Sequence, residues 1–174
     1  MEEFVIFGLS VALGLAAWSF VCATYVWPWV RGRPFAQAVR PLLMLHLFRY
    51  VGASFLIPGV AGPALSRDFA VPGAYGDVLS VLLAWLALAL LRHAAGTIAL
   101  WVFNVWGTLD LLFAFYKGAF GPGFHPSDLG ATFYIPTVYV PLLLCAHAML
   151  FTVLLKGSTQ SGDRHSPTAT LVNS

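Results

Sequence analysis

The sequence predicts an all-α polytopic membrane protein, a bundle of five transmembrane helices. Hydrophobic residues make up 59% of the chain and charged residues only 9%, against about 25% charged in soluble domains. The apolar residues gather in stretches close to the roughly 20 residues that a helix needs to cross the hydrocarbon core. Linkers rich in glycine and proline separate these stretches. We therefore expect one membrane domain over residues 1–156, followed by a polar tail.

The expected crossings follow the apolar stretches in chain order: residues 4–30, 35–57, 75–91, 97–116 and 131–155. The first ends in "WPWVRGRP", because tryptophan and arginine are typical of a membrane boundary. Pro58 ends the second, and "RHAAG" makes a tight turn between the third and the fourth. Lys117 follows the fourth crossing and Lys156 the fifth. Residues 157–174 are polar, and we expect them to be disordered and cytoplasmic.

The basic residues predict the direction of the chain across the membrane. If the N-terminus lies outside, two basic residues fall outside and six fall inside. The six are Arg31, Arg33, Arg40, Arg92, Lys156 and Arg164. The positive-inside rule favours this arrangement, with the C-terminus in the cytoplasm. Asp77 is among the acidic residues expected outside. The predicted location is the cell membrane, as a multi-pass protein of a bacterial inner membrane.

Small residues indicate where helices approach each other closely. Gly8, Ala12 and Ala16 recur every four residues on the first helix, a spacing that places them on one face. Such stripes let helix backbones pack together in lipid. This stripe predicts contact with a neighbouring helix, a second copy of the chain or another subunit of a membrane complex. Gly107 on the fourth helix is expected to admit another backbone in the same way.

Two charged residues of opposite sign lie deep inside predicted helices. Arg49 follows Arg40 by nine residues, which places it about 13 Å from one interface. Asp110 precedes Lys117 by seven residues, about 10 Å from the other interface. A long arginine side chain can cover most of the gap that remains in a core about 30 Å thick. We therefore expect Arg49 and Asp110 to pair, because an unpaired charge in lipid is costly.

Helical faces extend this pair to a larger polar set. At 100° per residue, His46, Arg49 and Tyr50 share one face of the second helix. The full set comprises His46, Arg49, Tyr50, Asn104, Thr108, Asp110 and His147. Two interpretations stay open: a buried network that fixes helix packing, or a site for a ligand, a proton or an ion.

His46 and His147 are predicted at similar depth on two different helices. Two such histidines can be the axial ligands of a b-type haem, the one cofactor that the sequence suggests. The alternative is that each is a hydrogen-bonded packing residue. No CxxCH motif is present, so covalent haem attachment is not expected. Cys22 and Cys145 lie in apolar stretches and are expected to be small core residues, and no other metal site is expected.

Three hypotheses of function follow. The first is a site among the second, fourth and fifth helices that binds or moves a small apolar or amphipathic molecule, a lipid included, with Arg49 available to an anionic headgroup. The second is a structural or accessory subunit, and the third a haem redox protein. Motifs of metalloproteases, serine hydrolases and nucleotide-binding loops are absent, so no catalytic residue is predicted and an enzyme is not expected. Basic residues form no cluster, which argues against a nucleic-acid partner.

Overall fold

The computed structural model describes residues 1–163, with side chains for residues 1–156, and helices joined by short loops make up this part of the chain. Four helices among these residues are long and apolar enough to cross a membrane: Glu2–Arg31, Arg67–Leu90, Gly96–Phe120 and Ile135–Lys156. No strand occurs in residues 1–163. The prediction of an all-helical chain compatible with a membrane is therefore confirmed. Residues 164–174 of the predicted tail lie outside the described part.

The first and last long helices each contain a short π-helical segment. In chain order the elements are α1 (Glu2–Val21), a π segment (Cys22–Val26), α2 (Trp27–Arg31), α3 (Phe35–His46), a 3₁₀ segment (Leu47–Leu56), α4 (Arg67–Leu90), α5 (Gly96–Phe120), a 3₁₀ turn (Pro126–Phe133), a second π segment (Ile135–Tyr139) and α6 (Val140–Asp163). Pro28 follows the first π segment and Pro136 lies within the second. Proline lacks the N–H of the α-helical ladder, which accounts for the irregular winding nearby.

The second predicted crossing is divided between two kinds of helix. α3 supplies 12 residues and the 3₁₀ segment supplies 10, although 3₁₀ runs beyond three or four residues are uncommon. A 3₁₀ helix has three residues per turn, so its buried residues recur every third position, at Arg49, Gly52 and Phe55. By their usual rises the two parts together are about 38 Å long, more than the roughly 30 Å of a hydrocarbon core.

Two predicted boundaries are wrong. α4 begins at Arg67 rather than at residue 75, so residues 67–74, which were expected in a linker, are helical. Ser66 at the N-cap and Asp68 in the first turn are residue types typical of a helix start, although the Ser66 side chain makes no capping hydrogen bond. α6 continues to Asp163, so residues 157–163 of the tail predicted to be disordered are helical.

The bundle has two apolar cores with a polar layer between them. One core includes Phe7, Phe69 and Leu129, and the other includes Leu43 and Leu150. The polar layer comprises six buried or largely buried residues on five elements: His46, Arg49, Asp77, Asn104, Asp110 and His147. The cores therefore hold the polar side chains at one level of the bundle.

The small-residue stripe on α1 does not pack within the chain. Gly8, Ala12 and Ala16 are exposed, and nothing lies within 4 Å of the point where a Cβ of Gly8 would stand. α1 instead contacts the bundle at Gly14, where a Cβ would meet the backbone carbonyl of Thr137. Of the three partners left open for this stripe, a neighbouring helix of the same chain does not cover it in the described residues.

Candidate functional site

Arg49, Asp77 and Asp110 form an ionic cluster in the polar layer. The guanidinium Nε donates to Oδ1 of Asp77 at 2.7 Å, and Nη2 donates to Oδ2 of Asp110 at 2.5 Å. Nη1 donates to the backbone carbonyl of Gly107 at 3.3 Å. Arg49 is 0% exposed, so all three nitrogens are used inside the protein. This satisfies the main requirement for a charge buried among apolar side chains.

A glycine on a facing element makes room for each charged side chain. A Cβ at Gly52 would overlap the carboxylate of Asp77, and a Cβ at Gly76 would overlap that of Asp110. A Cβ at Gly107 would stand 3.1 Å from Nη1 of Arg49. These contacts show why the 3₁₀ segment, α4 and α5 can approach closely at this level.

His46 and His147 form an imidazole pair next to the ionic cluster. Their ring centroids are 4.2 Å apart, and the two residues are 0% and 1% exposed. Asn104 Nδ2 donates to the backbone carbonyl of His147, and its Oδ1 lies 2.7 Å from His147 Nδ1. His147 Nδ1 therefore carries the proton that Oδ1 accepts, and Nε2 keeps a lone pair.

Three imidazole nitrogens of this pair have no hydrogen-bond partner among the described residues. They are both ring nitrogens of His46 and Nε2 of His147. The Nε2 atom of His147 would stand 2.7 Å from a Cβ at Gly107, beside Nη1 of Arg49. The unpartnered Nε2 of His147 and Nη1 of Arg49 therefore both lie close to Gly107.

The imidazole pair does not fit the axial ligation of haem. A bis-histidine haem needs the iron and the porphyrin plane between the two rings. At 4.2 Å between centroids and 44° between planes, the rings of His46 and His147 are in direct contact. The b-type haem, one of the two alternatives for these histidines, therefore does not fit this arrangement, because no space for the macrocycle lies between the rings. Among the described residues, no group of three histidine, cysteine, aspartate or glutamate side chains could hold a metal ion.

The structure brings together five of the residues that the sequence places in the polar set: His46, Arg49, Asn104, Asp110 and His147. Tyr50 does not join them, because it is 58% exposed. The 3₁₀ winding turns it away from the side that an α helix would have given it. Thr108 donates to the carbonyl of Asn104 on its own helix, and no hydrogen bond of its side chain to another described element crosses the layer.

Sequence reasoning missed Asp77, the second carboxylate of the cluster. The prediction placed it outside the membrane because Pro72 and Gly73 were taken as part of a linker. The signal that could have corrected this is the helix start at Ser66 and Asp68, which carries Asp77 into the membrane segment. Tyr139 was also missed: its hydroxyl donates to the carbonyl of Leu45 at 3.0 Å, close to where α3 passes into the 3₁₀ segment.

Both carboxylates line a narrow cavity that is otherwise apolar. The cavity has a volume of about 30 Å³, room for one or two water-sized groups. Four aromatic rings also line it: Phe7, Phe55, Phe69 and Phe115. The side chains of Asp77 and Asp110 are 10% and 12% exposed, whereas the side chain of Arg49 is fully buried. The accessible polar groups of the site are therefore carboxylates.

One family model matches residues 6–155, a range that contains the whole polar layer and the cavity. Its description is Domain of unknown function (DUF8737). The chain belongs to this family. No curated protein and no solved structure matches it.

Proposed function

We propose that this protein crosses the membrane five times and binds, or moves, a small amphipathic molecule at the polar layer. The second crossing is then α3 with the 3₁₀ segment, which together exceed the core thickness although neither part does alone. The N-terminus lies outside and the C-terminus inside, in a bacterial inner membrane. The distribution of basic residues supports this direction.

The observation that carries the binding proposal is the pair of carboxylates in the cavity wall. Arg49 occupies one oxygen of each, and neither Oδ2 of Asp77 nor Oδ1 of Asp110 accepts a hydrogen bond from the described residues. Neither oxygen is among the fully buried atoms without a partner in the described residues, and both aspartates line the cavity, so their carboxylates are available to a polar group that enters it. Convergent polar groups at an apolar cavity are the usual composition of a ligand site.

Native mass spectrometry of gently solubilised protein tests this function. We expect an amphipathic molecule to co-purify with the unaltered chain and to be lost in Asp110→Asn. It should remain in Asp68→Asn, a matched control on an exposed carboxylate of α4. A protein that carries no small molecule, with or without the cluster intact, would contradict the proposal.

Labelling from outside the cell tests the topology. Cysteines introduced singly at Ser127 and Arg33, in a chain whose Cys22 and Cys145 are alanine, should differ in their reaction with a membrane-impermeant maleimide. Ser127→Cys should react in intact cells and Arg33→Cys only after lysis. Equal reaction at both positions would overturn the proposed direction.

An accessory subunit is the second candidate, and the outward stripe on α1 favours it. Gly8, Ala12 and Ala16 form an uncovered small-residue face of the kind that supports close contact between membrane helices. Its occupant is then a second copy of the chain or another membrane protein. Ala12→Leu should weaken cross-linking of neighbouring chains in the membrane, whereas Leu13→Ala, at another exposed position of α1, should not. Cross-linking that recovers only monomers would remove this candidate.

A further inference from the structure

The ionic cluster has one negative charge in excess. It combines two carboxylates with one guanidinium, and no second lysine or arginine of the described residues forms an ion pair with Asp77 or Asp110. The other titratable groups that face it are the imidazoles of His46 and His147 and the hydroxyl of Tyr139, which are uncharged in their ordinary forms. A charge at membrane depth costs about 2.5–3.5 kcal/mol on insertion scales. The cluster is therefore complete only when something adds one positive charge.

Arg49 is not available to a ligand. All three of its nitrogens donate inside the protein, and its side chain is 0% exposed. An anionic headgroup would have to displace a carboxylate to reach it, and it would meet the second carboxylate on the way. The expectation that Arg49 receives an anion is therefore wrong. The accessible carboxylates favour a positively charged ligand instead.

The lining of the cavity points to a cation independently of this charge count. Aromatic rings attract cations through their negative faces, and four phenylalanines line the cavity beside the carboxylates. The space of about 30 Å³ admits a group the size of ammonium but not a quaternary ammonium.

We infer that the ligand of this site is a primary amine in its protonated form, whose ammonium group enters the cavity between Asp77 and Asp110. This inference rests on the proposed function and names the chemistry of its ligand. A proton bound by the cluster is the other source of one positive charge, and the experiment separates the two.

The probe is methylammonium, added to purified protein in detergent at constant pH and ionic strength. Thermal unfolding and a titration should show that it stabilises the unaltered chain, while tetramethylammonium and formate have no effect. Asp77→Asn and Asp110→Asn should each weaken methylammonium binding by about tenfold or more. Both variants keep the shape of the side chain and balance the remaining charges, so we expect them to fold. Asp68→Asn should bind as the unaltered chain does.

The other possible outcomes contradict either the amine inference or the proposed function. Stabilisation by formate, or equal binding of methylammonium in the two cluster variants, would overturn the inference. So would stabilisation that follows acidification alone, with no added effect of methylammonium, because a proton then supplies the charge. If mass spectrometry finds a neutral or anionic amphipathic molecule bound, the proposed function stands and the amine is wrong. If methylammonium binds at the cluster but no amphipathic molecule co-purifies, the amine stands and the proposed function fails.

Discussion

Arg49 and His46 lie three residues apart at one level of the bundle, and both are 0% exposed. Their polar atoms nevertheless have opposite environments. Every nitrogen of Arg49 donates to a carboxylate or a carbonyl, whereas neither nitrogen of His46 has a partner among the described residues. The nitrogens of Arg49 are therefore all hydrogen-bonded, whereas the neighbouring imidazole pair is buried with three of its nitrogens unpartnered among the described residues.

The difference follows from what each group costs when it is unpaired. An ionised side chain buried without a partner is destabilising by several kcal/mol, but an unpaired neutral group costs about 1–3 kcal/mol. A membrane bundle can tolerate the second and not the first. We therefore expect the ionic cluster to control stability and the imidazole pair to contribute little to it.

The largest effect is expected when the cation is removed. Arg49→Met leaves two carboxylates facing each other without a counter-charge, and we expect the free energy of unfolding to fall by about 3–5 kcal/mol. Chemical unfolding in detergent micelles, followed by tryptophan fluorescence, measures it. Arg40→Met, at an exposed position of α3, is the matched control and should change stability by less than about 0.5 kcal/mol. Similar losses in both variants would show that the cluster has no special role.

A methyl group beside the cluster should cost less. Gly76→Ala places a Cβ against the carboxylate of Asp110, and we expect a loss of about 1–3 kcal/mol, as for other overpacked sites. Gly8→Ala is the control, because its Cβ meets nothing within 4 Å and alanine favours the helix by up to about 1 kcal/mol. The same unfolding assay should therefore give changes of opposite sign, and a loss at both positions would contradict the close packing of Gly76 against Asp110.

Asn104 makes two hydrogen bonds to His147, and a substitution at Asn104 removes both. Asn104→Leu deprives both His147 Nδ1 and the carbonyl of His147 of a partner, and we expect a loss of about 1–3 kcal/mol. Thr108→Val removes a hydroxyl that bonds only within α5 and should cost less than about 1 kcal/mol. Thermal unfolding measures the stability loss of each variant. A larger loss in Thr108→Val than in Asn104→Leu would contradict this prediction.

The smallest effect is expected at His46. His46→Leu replaces an imidazole that has no hydrogen bond with an apolar side chain of similar size, so stability should stay the same or rise by up to about 1 kcal/mol. A loss above about 2 kcal/mol in the unfolding assay would mean that these nitrogens bind something in the membrane, and the contrast with Arg49 would then disappear.

Much of the fold and part of the site could be predicted from the sequence. Length and hydropathy were enough for the helical class, and depth along the helices was enough to bring Arg49 towards Asp110. Tyr50 was misplaced because the prediction assumed the α-helical rotation of 100° per residue. No residue pattern in "LFRYVGASFL" indicates a 3₁₀ helix. The contact between His46 and His147 could not be predicted, because it depends on how closely the backbones approach.

The 3₁₀ segment also limits how its length can change. Three residues per turn means that Arg49, Gly52 and Phe55 repeat one direction every third position. One residue inserted after Arg49 would swing everything beyond it by about 120° and carry Phe55 away from the cavity. Three inserted residues would restore the direction one turn further on. Length variation here is therefore expected in triplets, whereas the neighbouring α-helical spans recover their facing only after about seven residues.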